Sequence, residues 1–86
     1  MSLSREARKA ITTLPRVAQE RTFALIKELE TMGPVRGDWP NYGKLTGEKH
    51  HCHIKKGKPT YVMVWAIIEH KTIEVIYVGT HERAPY

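Results

Sequence analysis

The chemistry-bearing residues of this chain gather in its second half, beginning with His50-His51-Cys52-His53-Ile54-Lys55-Lys56. The segment reads as a β-strand, so successive side chains point to opposite faces. Cys52 and Ile54 suit a core, and His50 falls on their side by the same alternation. His51, His53 and Lys55 then form a polar row with neighbours about 6.5 to 7 Å apart. Imidazoles titrate near neutrality and can take or give a proton. A lysine beside them would lower the cost of charge build-up on a phosphate. The same row also suits the solvated face of an edge strand, where charges block unwanted pairing.

Chelation is the weaker reading of these histidines. His51 and His53 could share a metal with His81 or Glu82, but no second ligand pair matches and Cys52 faces away. The sequence is therefore read without a metal or other cofactor.

A second cluster, Thr80-His81-Glu82-Arg83, follows Gly79 at the end of a strand. Acid, base and cation share one short loop held by a rigid element, a usual setting for function. A surface turn with a local Glu82–Arg83 pair is the plainer alternative. Lys55, Lys56 and Lys58 bracket a turn at Gly57, where they would neutralise phosphates without reading sequence. Tyr86 ends the chain behind Pro85, free either to fold over a site or to pack on the sheet. Tyr61, Trp65 and Tyr77 lie on strands and are expected to pack rather than stack on bases. A Ser/His/Asp set, a CxxC pair and a phosphate-cradling glycine loop are absent.

Charge narrows the partner. The chain holds 14 Lys+Arg against 9 Asp+Glu, a net charge of +5. An anionic partner follows: RNA, DNA, an acidic protein or anionic lipid. Apolar residues are 41% of the chain, enough for a core. A single cysteine permits no internal disulfide and fits a reducing compartment. No apolar run approaches the roughly 18 residues of a membrane span, and no signal-peptide pattern opens the sequence. One domain over residues 1–86, cytoplasmic and without a membrane role, is expected.

The elements that must position these groups are legible from periodicity. Ser4 suits an N-cap for a helix over 5–13, with Leu3, Ala7, Ala10, Ile11 and Leu14 as its apolar stripe. Leu14-Pro15 breaks it, and Pro15 suits the first position of a second helix capped at Thr13 or Leu14. That helix buries Ala18, Thr22, Leu25, Ile26, Leu29 and Met32, and Gly33-Pro34 stops it. Residues 35–47 read as a loop pinned by Trp39, Tyr42 and Leu45. The period then changes to two, giving strands over 49–55, 60–68 and 72–78. The middle strand is apolar on both faces and should be central. The expected architecture is α+β, an N-terminal helix hairpin packed on a small twisted antiparallel sheet.

Over nearly its whole length the chain resembles the RelE/ParE toxin superfamily, the toxin halves of bacterial type II toxin–antitoxin modules. The resemblance rests on Gly37-Asp38-Trp39-Pro40-Asn41-Tyr42, on His51-Cys52-His53-Ile54-Lys55 and, most specifically, on Gly79-Thr80-His81-Glu82-Arg83-Ala84-Pro85-Tyr86. Within the superfamily it resembles a RelE-like branch. What it implies is a metal-independent mRNA interferase, an endoribonuclease that inhibits translation by cutting mRNA in the ribosomal A site. There the ribose 2′-hydroxyl attacks the adjacent phosphate and leaves a cyclic phosphate end. The implied partners are that mRNA and a cognate antitoxin.

Family lysine positions fall on His53 and Lys55, and the C-terminal stacking tyrosine falls on Tyr86. Combined with the residue reading, His53 or His51 is general base and His81 general acid. Lys55 and Arg83 hold phosphate, with Lys56, Lys58 and Glu82 completing the RNA-binding surface. Two departures stand out. Val62, after Tyr61, occupies the place of a phosphate-binding arginine. The usual first strand is missing or reduced to Met1-Ser2-Leu3, which would leave a sheet edge free for a partner. The alternatives are a ParE-like inhibitor of DNA gyrase, a catalytically degenerate antitoxin-binding module, and a non-catalytic RNA-binding domain.

Overall fold

In the computed structural model, which describes all 86 residues, Ser4 is the first switch point of the chain. Its hydroxyl accepts the Ala7 N–H at 3.1 Å and opens helix α1, Arg5–Thr13, with Glu6 in the first turn. Leu14 is extended, as a residue before proline must be. Helix α2 spans Arg16–Met32 with Pro15 at its cap. Pro15 thus sits one position earlier than its sequence suggests, and neither Thr13 nor Leu14 caps α2. Gly33 ends the helix at φ 89°, its N–H returning to the Leu29 carbonyl at 3.3 Å.

Five strands make one sheet: β1 Ser2–Leu3, β2 Gly43–Lys44, β3 Lys49–Lys55, β4 Tyr61–Ile68 and β5 Thr72–Thr80. Their order is β1-β5-β4-β3-β2. Two departures from the expected sheet follow, and the reduced first strand is met. The sheet is mixed, because β1 runs parallel to β5 through the pairs Ser2–Glu74 and Leu3–Val75. The first strand is therefore present, reduced to two residues and extended by the Ser4 N–H bond to the Val75 carbonyl at 2.8 Å. The loop also contributes β2, which pairs with His50 and His51 and was too short to show a period.

Both helices cover one face. Ala7 and Ile11 of α1 and Leu25 and Leu29 of α2 close on Cys52, Ile54, Met63, Trp65, Ile73, Val75 and Val78. Val62, Met63, Val64 and Trp65 have no exposed surface, so β4 is central and buried on both sides. Trp39 and Tyr42 pack on this core and pin the loop after α2. Met32, expected on the buried stripe, is 61% exposed, since the chain turns away at Gly33 one residue later. No helix is long and apolar enough to cross a membrane.

Candidate active site

The tip between β3 and β4 is braced by Thr60. Its hydroxyl donates to the Gly57 carbonyl at 3.0 Å and accepts the Gly57 N–H at 3.3 Å. Its carbonyl accepts the His81 N–H at 2.8 Å, which ties the turn after β5 to the hairpin tip. Between tip and turn lies an open groove of about 610 Å³ lined by His53, Gly57, Lys58, Pro59, Thr60, His81 and Glu82. None of these side chains is hydrophobic. The rings of His53 and His81 meet edge to face, with centroids 5.3 Å apart. The His53 N–H donates to the Pro40 carbonyl at 2.8 Å, so the loop behind β3 fixes the base of that ring.

On the sheet face away from the helices, Tyr86 lies against His51. His53 lies opposite Val62 and His51 opposite Val64, and both valines are fully buried. The Tyr86 ring stands 4.5 Å from that of His51 and 5.9 Å from that of His81. Four rings thus run from His53 through His81 and Tyr86 to His51. The Nδ1 of His51 is buried without a hydrogen-bond partner. Its Nε2 faces Gly43 so closely that a Cβ there would lie 3.1 Å away.

No protein-family model and no curated protein matches the sequence. Among solved structures, the chain is similar to RelE in the archaeal RelE-RelB complex from Pyrococcus horikoshii OT3. The TM-score is 0.70 at 17% identity, covering 96% of this chain and 94% of that one. The fold is that of RelE.

Within this RelE fold the residues singled out from sequence separate into groups. His53, His81, Lys58 and Glu82 share the groove. Lys56 is near enough for its charge to act on His53. Lys55 leaves the expected row. A register shift between His53 and Lys55 pairs it with Tyr61, whose ring packs on the helix-side core, and its Nζ lies over Gly57. Such an irregularity inserts a residue and breaks the alternation that placed Lys55 beside His53. Arg83 lines a separate groove with Thr13, Leu14 and Tyr61, away from His53 and His81. Val62 is buried between His53 and Gly79 in register, so β4 offers the groove no cation there. No three donors among the histidines, cysteine and carboxylates are disposed to hold a metal ion.

Some participants carried no chemical signal in the sequence. Thr60 acts through a brace that ties the nearby Gly57 to the distant His81, and Gly43 through a missing Cβ beside His51. His50 is buried and parallel to Trp65, with ring centroids 5.9 Å apart, and its Nδ1 lies 2.7 Å from the Tyr42 hydroxyl. It belongs to the core, as its alternation with Cys52 implied.

Burial, ahead of any neighbouring charge, pulls the His50, His51 and His53 imidazoles below their usual range. His81 pushes the latter two further down, and Lys56 adds to the effect on His53. A neutral His53 at pH 7 is able to accept a proton. Burial chiefly raises the Tyr86 hydroxyl, and it pushes the Cys52 thiol up to about 12, so both stay protonated. A stability consequence follows with a definite sign. The unfolded histidines bind protons near pH 6.5 while the folded ones resist, so this stabilisation is present above that pH and lost on acidification. The urea midpoint should be flat from about pH 8.5 to 7.5 and fall towards pH 5. A midpoint that rises on acidification contradicts the burial of these rings.

Proposed function

We propose that this protein is the toxin of a type II toxin–antitoxin pair and cleaves mRNA on the ribosome, in the cytoplasm. The observation that carries this reading is the His53–His81 pair in an open groove beside Lys58. The RelE fold and the net charge of +5 support it. In the proposed reaction His53 removes the proton of a ribose 2′-hydroxyl, whose oxygen attacks the adjacent phosphorus. The bond to the 5′-oxygen breaks, and His81 gives that oxygen a proton. A 2′,3′-cyclic phosphate and a 5′-hydroxyl result. Lys58 and Lys56 offset the charge gathering on the phosphate. RelE of the similar structure is complexed with RelB, and an antitoxin is the corresponding partner proposed here.

The deciding assay maps mRNA held on programmed ribosomes by primer extension. A cut in the A-site codon is expected, and intact mRNA overturns the reading. A narrower result concerns Lys58. Lys58→Ala should reduce the salt slope of RNA binding by about 0.7, the share of one phosphate contact on a single strand. An unchanged slope removes Lys58 from the phosphate-binding set.

Val62 favours a second reading. Valine without exposed surface stands where the resemblance calls for an arginine, which suits a gyrase inhibitor better than a phosphate-transfer enzyme. Inhibited supercoiling by gyrase together with intact mRNA would select it.

A further inference from the structure

We infer that His51 is a positioning residue that holds Tyr86 against His81 with its ring, rather than a proton carrier. The inference rests on the proposed cleavage reaction and assigns a part of that same site. Its basis is where the two nitrogens of His51 point. Nδ1 is buried and has no partner, and Nε2 is turned onto Gly43, where even a methyl group would crowd it at 3.1 Å. His51 is not among the residues that line the groove. What His51 does present is its ring, 4.5 Å from that of Tyr86.

The other contacts agree. Tyr86 also meets His81 edge to face at 5.9 Å, so its placement bears directly on a ring of the proposed pair. Tyr86 is 45% exposed, and the His51 ring is the nearest aromatic surface against it. His51 is set in β3 between β2 and β4, with buried Val64 opposite, and is therefore a fixed wall. A buried nitrogen without a partner is a cost to the fold, and an aromatic ring without nitrogens removes that cost. The role thus demands a flat ring and has no use for its proton chemistry.

His51→Phe and His51→Ala separate the two roles. Single-turnover mRNA cleavage across pH is one readout; the NMR signals of the Tyr86 ring in the free protein are the other. His51→Phe should cleave within about threefold of wild type, with the same pH profile and native-like Tyr86 signals. His51→Ala should lose activity as Tyr86→Ala does, and the double variant should be no worse than either single one. Its Tyr86 signals should move towards those of a free tyrosine. Two results overturn the inference: loss of cleavage in His51→Phe equal to that in His51→Ala, or unchanged Tyr86 signals in His51→Ala. If wild-type protein leaves mRNA intact, the cleavage reading fails, and the NMR comparison still decides whether His51 holds Tyr86. Should His51→Ala fold poorly, Gly43→Ala crowds the Nε2 end of the ring and pushes it by a few tenths of an ångström. It should shift the Tyr86 signals while the His51 side chain is retained.

Discussion

His53→Ala and His81→Ala should each slow mRNA cleavage by about 10²- to 10⁴-fold, the usual worth of a positioned acid or base. The two rings act on one phosphodiester bond, so the double variant should fall little below the worse single one. Folding should survive in both. His81 is exposed on the turn after β5, and its structural tie to Thr60 uses the backbone N–H, which alanine keeps. His53 covers Val62, but its own N–H bond to Pro40 is likewise independent of the side chain. The pH dependence carries a sign. A base must be neutral, and burial lowers the proton affinity of His53, so its limb of the kcat/KM profile should lie below the ordinary imidazole value near 6.5. That limb should vanish in His53→Ala. Wild-type rates in both single variants, with folding verified, would remove the pair from the chemistry.

Much of this arrangement was legible because it is written in local rules. Ser4, Leu14-Pro15 and Gly33 mark helix ends through capping, steric exclusion and a positive φ, each needing only near neighbours. Alternation likewise placed Cys52 and Ile54 in the core and His51 and His53 on the opposite face. It failed at Lys55, the last residue of the strand, where one irregularity breaks the alternation. Strands β1 and β2 are two residues long, too short for any period, and exist through partners more than 70 and about 7 positions away.

The groove shows the same limit. The sequence supplied His53 and His81 as separate signals, but their approach to 5.3 Å depends on the Thr60 brace and on β5 lying beside β4. Arg83 has as strong a charge signal as Lys58, yet the turn His81–Arg83 sends it to the far side. Residue type predicted which groups could act; only the backbone path decides which of them meet.

Trp65→Ala should lower stability by about 3 to 5 kcal/mol, a large part of what an ordinary domain possesses. Trp65 is fully buried on the central strand, where no neighbouring element can collapse far into the space it leaves. It stacks on His50, lies 6.2 Å from the Tyr42 ring, and donates its indole N–H to the Pro34 carbonyl at 3.0 Å. The side chain therefore joins β4, β3 and the loop that follows α2. That loop continues to Pro40, whose carbonyl holds the His53 N–H. The fall in Tm should be at least about 12 °C, at 4 °C or more per kcal/mol for a domain of this size. Trp65→Phe keeps most of the ring and strands one carbonyl, so it should cost only about 1 to 3 kcal/mol. The coupling to the site has its own test. Amide exchange at His53 should speed up in Trp65→Ala more than at Cys52 beside it, because the Pro40 bond depends on the pinned loop. Equal acceleration along β3 would mean that the loop holds itself, and that Trp65 supports the sheet alone.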